Sequence, residues 1–182
     1  MKGFAVASVL SLLLLSATLA QAPPSAPGAL VDPWARWRFL VGDWVGEGGG
    51  RPGEGSGSFS LQFDLDQSVL VRRSRTEYPA AGGKPRLVHE DLMVCYPDPA
   101  GGRILAIYFD NEGHVIRYTE ETAGQGRVVL VSDVNASAPR FRLTYTRLGP
   151  DAIGIAFEIA PPGRPDGFVP YVTGKAIKSS SR

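Results

Sequence analysis

The stretch that decides the fold is Ser-Phe-Ser-Leu-Gln-Phe-Asp-Leu, residues 58–65, in which polar and apolar side chains alternate without a break. Phe59, Leu61, Phe63 and Leu65 fall on one side of this stretch, and its polar residues fall on the other. Successive side chains of a β-strand point to opposite faces of its sheet. The pattern therefore predicts a strand with one buried face.

Strand character continues outward from this stretch in both directions, interrupted by short turn sequences such as Asn111-Glu112-Gly113. Regular short spacing, without a second helical segment long enough for a crossover, predicts an all-β antiparallel meander. Such a meander closes most simply as an up-and-down β-barrel of about ten strands, with a two-sheet sandwich as the alternative. The predicted strands are Trp44–Gly48, Ser58–Leu65, Val69–Tyr78, Leu87–Tyr96, Arg103–Asp110, His114–Glu121, Arg127–Asp133, Arg140–Arg147, Ala152–Ala160 and Val169–Ile177.

The composition limits the classes of protein to which the chain can belong. It has 182 residues, which is room for one domain, and its 22 Gly and 15 Pro argue against a helical bundle. A formal charge of +1 does not suit a nucleic-acid partner. The single cysteine, Cys95, excludes an internal disulfide framework and a Cys-rich zinc site. We predict no metal site and no catalytic motif.

The N-terminus has the pattern of a secretory signal peptide, residues 1–20. Lys2 precedes an apolar run from Phe4 to Leu15, and small residues lead up to Ala20. A membrane anchor is the alternative, but the run is short and a Pro/Ala-rich linker, residues 21–31, follows it. We expect an exported protein, periplasmic or extracellular, with no membrane span after cleavage. The barrel domain is predicted over 32–178, with a disordered tail at 179–182, in a monomer or dimer.

A short helix is predicted just before the first strand. Asp32 can cap it, Pro33 suits its first position, and Trp34, Trp37 and Leu40 recur every three residues as an apolar stripe. We expect Trp44 to close one end of the barrel against this stripe, or else to contact a ligand directly.

Residues 42–52, Gly-Asp-Trp-Val-Gly-Glu-Gly-Gly-Gly-Arg-Pro, carry a G-x-W-x-G-x-G-x-G-x-P pattern. This motif resembles that of the nitrobindin-like haem-binding β-barrels, calycin-like proteins distantly related to lipocalins and fatty-acid-binding proteins. The resemblance implies a small closed barrel that holds an apolar ligand, which is haem in the best-known members. Arg51 replaces the family's tyrosine, and residues 169–182 lack its proximal histidine. We therefore expect no cofactor, and weak or no haem binding; a haem ligand would have to be His114 or His89, or a Tyr or Met substitute.

Two arginines are predicted inside the barrel. A three-residue loop at 66–68 would align Val69, Val71, Arg73 and Arg75 with the apolar side of the opening stretch, which includes Phe63. Arginines in that position could meet the carboxylate of a ligand. A slip of one residue would place them outside instead.

A second candidate cluster comes from the hairpin around Gly113. A three-residue loop places Asp110 opposite His114 and pairs the strands so that Tyr108, Asp110, His114 and Tyr118 share one face. That face could orient a planar ligand if it pointed inward. The opposite face is more apolar and is the one we expect in the core; it carries Leu105, Ile107, Phe109 and Val115.

The segment His89-Glu90-Asp91 forms a third cluster. Alternation places His89 and Asp91 on one face and Glu90 on the other, with Val88, Leu92 and Val94. If the apolar face is buried, Glu90 needs a partner, which Arg73 or Arg75 could provide.

Three hypotheses follow for the function. The first is a non-catalytic barrel that binds a small apolar or planar ligand, with Trp44, Phe63, Arg73, Arg75, Tyr108, His114 and Tyr118 as candidate binding residues. The second is a small-molecule enzyme on the same barrel, using His114 or His89 with a carboxylate as acid and base. The third is a structural or interaction domain of the cell envelope.

Overall fold

A computed structural model describes residues 32–47, 56–80 and 85–179. The predicted signal peptide and linker, residues 1–31, lie outside the described residues, as do residues 180–182 of the predicted tail. The second half of the glycine motif, residues 48–52, also lies outside them.

Ten antiparallel strands form a closed up-and-down barrel, in which each strand pairs with its neighbours in sequence and the last pairs with the first. The prediction of the barrel is confirmed, and closure excludes the sandwich. Within the described ranges, no helix is long and apolar enough to cross a membrane. The strands are β1 (Gly42–Glu47), β2 (Ser56–Asp64), β3 (Val69–Tyr78), β4 (Leu87–Pro97), β5 (Ile104–Asp110), β6 (Val115–Glu121), β7 (Arg127–Ser132), β8 (Arg140–Arg147), β9 (Ala152–Ala160) and β10 (Val169–Lys178).

The segment before β1 is less helical than the short helix predicted there. Residues 33–37 are successive turns, followed by one 3-10 helix over Arg38–Leu40. The eight residues between Pro33 and Gly42 are too few to repay the cost of helix nucleation. The expected contacts nevertheless form: Asp32 Oδ1 accepts from the backbone N–H of Trp34 at 3.0 Å, and the side chains of Trp34, Trp37 and Leu40 are buried.

The predicted pairing of β2 with β3 is wrong by one residue. Phe63 lies opposite Leu70, and Leu61 lies opposite Arg72. Directly opposed residues share a face, so Arg72 points into the barrel while Arg73 points out. Arg73 and Arg75 are both exposed.

The predicted pairing of β5 with β6 is confirmed, because Tyr108 lies opposite Ile116 and Ala106 opposite Tyr118. The choice of core face is wrong. Ala106 and Tyr118 are 1% and 3% exposed, whereas Phe109 and Val115 are 41% and 61% exposed. The face with the tyrosines therefore looks inward.

On β4, too, the more polar face looks inward. Asp91 shares the inner face with Met93 and Cys95, both fully buried, and Glu90 faces outward. Glu90 does pair with Arg75, as one of the alternatives predicted, but it does so on the outer surface.

Candidate functional site

The end of the barrel that receives the 3-10 helix is closed by tryptophans. The indole N–H of Trp37 donates to Glu120 Oε1 at 3.1 Å, and Glu120 Oε2 accepts from the backbone N–H of Ile104 at 3.1 Å. The indole N–H of Trp44 donates to the carbonyl of Leu40 at 2.8 Å, and its ring stacks on Phe59. This end, called the floor below, has its buried polar groups paired within the protein.

Above the floor, the interior is accessible to solvent. Tyr145, Ile155 and Gly174 form a row across β8, β9 and β10 on the inner face. Tyr145 is fully buried, yet Gly174 is exposed, and a Cβ added to it would meet nothing within 4 Å. Gly174 lies one residue beyond the last pair between β10 and β1, Lys175 with Glu47, and its exposure together with the room for a Cβ indicates open space on the inner side of the wall there. This space is called the lumen below.

The wall of the lumen is mostly apolar. Its apolar residues pack against the buried core but are themselves only partly buried; they are Ile116, Phe141, Ile155 and Phe157. Phe141 and Phe157 stack with their planes 11° apart. A mostly apolar wall with a few polar groups is typical of sites for small molecules.

One ion pair lies within this wall. Arg72 Nη1 is 2.5 Å from Asp91 Oδ1, and the two side chains are 13% and 4% exposed. The guanidinium also lies over the ring of Phe59, 5.3 Å from its centroid. Arg72 Nε and the hydroxyl of Tyr145 are buried without a hydrogen-bond partner among the described residues.

A chain of titratable side chains leads from the lumen to the end opposite the floor. His89 Nδ1 lies 2.9 Å from Glu112 Oε1, and His89 Nε2 lies 3.2 Å from the Tyr108 hydroxyl. That hydroxyl donates to Asp110 Oδ2 at 3.2 Å, and His114 Nδ1 lies 2.8 Å from the same oxygen. Both histidines thus have a carboxylate partner that could orient them for general acid–base chemistry.

Burial sets the protonation of the tyrosines and of the cysteine. It raises the pKa of Tyr145 to about 12, and raises that of Tyr108 and Tyr118 well above the usual value. These hydroxyls therefore remain neutral donors near pH 7. Burial also raises the pKa of Cys95 to about 12, so its thiol is not a nucleophile.

The predicted site residues fall into three places. Trp44 and Phe63 belong to the floor, where the ring of Phe63 meets that of Trp34 edge-on at 5.5 Å. Arg73 and Arg75 line a groove of about 700 Å³ that includes outward-facing residues of β1 to β5, such as Val45 and Phe109. Tyr108 and Tyr118 line the interior, and the side chain of His114 is 63% exposed beside Asp110.

Sequence reasoning missed Arg72, Tyr145 and Gly174, and it placed Asp91 on the less apolar face. The signal that could have found the inner face of β4 was Cys95, because an unpaired cysteine is among the most frequently buried residues. With Cys95 inside, Asp91 is inside too, and a buried acid requires a nearby base.

The two histidines offered as haem ligands have different settings among the described residues. Both ring nitrogens of His89 already face side-chain partners, and His114 is largely exposed. Within the described ranges, no group of three or more His, Cys, Asp or Glu side chains is arranged to hold a metal ion. No protein-family model and no curated protein matches the sequence.

Proposed function

We propose that the protein is an exported, non-catalytic carrier that binds a small apolar molecule in its lumen. The observation that carries the proposal is the exposed, inward-facing Gly174 beside a wall of partly buried aromatic and aliphatic side chains. Small barrels of this kind have room for one small ligand. The signal-peptide pattern of the N-terminal sequence supports export. Because the floor closes one end of the barrel, the ligand would enter at the opposite end.

Filling the lumen tests the proposal directly. The variant Gly174→Leu places a side chain in the open space without a clash, and leucine suits a strand better than glycine does. N-phenyl-1-naphthylamine, a neutral apolar fluorophore, reports binding by increased emission. We expect the unsubstituted protein to bind it and Gly174→Leu to weaken binding by at least about tenfold, because both would occupy the same space.

The matched control is Gly124→Leu, another glycine whose added Cβ meets nothing within 4 Å, in the loop between β6 and β7. This variant should bind the fluorophore as the unsubstituted protein does. Equal weakening in both variants, or no weakening in either, would contradict binding in the lumen. Native mass spectrometry of protein purified from its own compartment then identifies the natural ligand by the mass that it adds.

Haem is not the ligand in this proposal. Titration with haemin should give a broad, unshifted spectrum, in the unsubstituted protein and in His114→Ala alike. A sharp Soret band that disappears in His114→Ala would restore the ligand that the family resemblance implies.

The chain from Glu112 through His89 and Tyr108 to Asp110 favours a second candidate, an acid–base enzyme. Such an enzyme would convert the bound ligand chemically, and His89→Gln would abolish the conversion. Release of the ligand unchanged after long incubation supports the non-catalytic function instead.

A further inference from the structure

The lumen has hydrogen-bond donors that nothing in the described residues uses. Arg72 Nε and the Tyr145 hydroxyl are both buried and without a partner. Buried polar groups in folded proteins are nearly always paired, so two unpaired groups lining one interior call for a missing acceptor. Arg72, whose side chain is 13% exposed, and the fully buried Tyr145 both lie on the inner face, and Tyr145 lies in the same cross-strand row as the open space at Gly174.

The charge around these donors argues against an anionic acceptor. Asp91 already neutralises Arg72 at 2.5 Å. Three interior carboxylates have side chains that are each only 4% exposed: Asp91, Asp110 and Glu120. A further carboxylate would bring a second negative charge beside the buried Asp91, which already neutralises Arg72, and a buried charge without a partner is costly.

The remaining donors suit a neutral oxygen. Tyr145 stays protonated because burial raises its pKa to about 12, and an N–H or O–H donor needs only a lone pair. A carbonyl oxygen supplies two lone pairs and carries no charge, so it could accept from both groups. The apolar wall would hold the skeleton to which that carbonyl is attached.

We propose that the lumen selects neutral carbonyl compounds, such as ketones, esters or amides on an apolar skeleton, over carboxylates of the same shape. The inference rests on the proposed function and specifies its ligand class. It also separates this barrel from carriers that use an arginine to bind an acid, because here Asp91 occupies that arginine.

Two matched pairs of probes test the selectivity by isothermal titration calorimetry at pH 7.5. The pairs are 2-acetonaphthone with 2-naphthoate, and 2-undecanone with undecanoate. We expect each ketone to bind at least about tenfold more tightly than its acid. Tyr145→Phe should weaken ketone binding by about two- to tenfold, the value of one neutral hydrogen bond.

The decisive variant is Asp91→Asn, which retains the shape of the side chain and frees the charge of Arg72. It should improve binding of the carboxylates at least about tenfold and so remove or reverse the selectivity. Glu90→Gln, on the outer ion pair, is the control and should leave both affinities unchanged. Circular dichroism confirms that each variant folds.

The outcomes separate the two proposals. Tighter or equal binding of the carboxylates by the unsubstituted protein overturns the selectivity and leaves the carrier function standing. Ketone affinity that is unchanged in Tyr145→Phe also overturns it, because an ordered water would then satisfy the hydroxyl. Binding of neither pair, together with no fluorophore binding, overturns the carrier function itself.

Discussion

Strands β3 and β4 carry two arginine–carboxylate pairs that lie on opposite faces of the barrel wall. Arg75 lies directly opposite Glu90 and pairs with it on the outer surface, where the side chains are 47% and 54% exposed. Arg72 reaches diagonally to Asp91 on the inner face, where the side chains are 13% and 4% exposed. An arginine–carboxylate pair therefore occurs both at the solvated surface and in the protein interior, with the two arginines three residues apart along β3.

The difference in burial between the two pairs bears on why each is present. A surface pair gains little, because water solvates both charges well when they are apart. A buried pair pays a large desolvation cost that its mutual attraction barely repays, so stability alone is a weak reason for its presence. Under the proposed function, the inner pair would serve a molecule bound in the lumen.

Removing the carboxylate from each pair should give the largest difference in stability between the two faces. Asp91→Ala leaves the Arg72 guanidinium buried without a counter-charge and should cost about 3–5 kcal/mol of unfolding free energy. Glu90→Ala should produce no resolvable change, because Arg75 retains Glu77 as a partner and is open to water. Urea denaturation monitored by tryptophan fluorescence measures both. Equal losses in the two variants would mean that the two faces differ less in solvation than their exposure indicates.

The sequence predicted the barrel because alternation over many strands is a local property that survives in the fold. It did not predict which arginines face inward, because that depends on one turn. Leu65, Asp66 and Gln67 all adopt left-handed backbone angles, with φ of 49°, 53° and 64°, and Leu65 is 70% exposed. Three consecutive non-glycine residues in that region are rare, so the alternation of residues 58–65 was carried one residue too far. A shift of one residue exchanges the faces of a strand.

The hairpin after β5 shows the opposite case. Gly113 has a φ of 91°, the conformation that its position in a three-residue loop requires, and the pairing of Tyr108 with Ile116 follows from it. At this hairpin, the sequence predicted which residues share a face but not which face points inward. Val115 and Phe109 are more apolar than the tyrosines, yet they lie outside, because burial of a whole face follows from closure of the barrel and not from the hydrophobicity of one strand.

Two further carboxylates, Asp110 on the inner face and Glu158 on the outer face, should differ in how their contributions to stability respond to salt. Asp110, on the inner face, is buried, which alone would raise its pKa, but hydrogen bonds from His114, Glu112 and Tyr108 outweigh burial and lower it. Glu158, on the outer face, has its pKa lowered chiefly by Arg142, whose Nε is 2.6 Å away. A lowered folded pKa means that each group stabilises the fold above its unfolded pKa, near 4, and loses that contribution as the pH falls through the folded value.

Asp110→Asn and Glu158→Gln should therefore each lower stability at pH 7 and reduce the loss seen on acidification to pH 3. The two should separate in 0.5 M NaCl, which screens partly exposed charges and leaves buried hydrogen bonds largely intact. Salt should shrink the effect of Glu158→Gln at pH 7 and leave that of Asp110→Asn nearly unchanged. Thermal denaturation at both salt concentrations provides the measurement, and a similar response of both variants to salt would place Asp110 in a solvated setting.

The smallest expected effect has the opposite sign. Tyr145→Phe removes a buried hydroxyl that has no hydrogen-bond partner in the part of the chain that the structure describes, so the folded state loses a desolvation cost and no hydrogen bond. The unfolding free energy of the ligand-free protein should stay constant or rise by up to about 1 kcal/mol. Tyr108→Phe is the matched control: its hydroxyl donates to Asp110, and its loss should destabilise by a similar amount. Most substitutions of buried residues destabilise, so a gain at Tyr145 would be informative. A residue whose removal stabilises the empty protein and weakens ketone binding is maintained for its ligand, whereas destabilisation by Tyr145→Phe would show that the hydroxyl is already satisfied within the empty barrel.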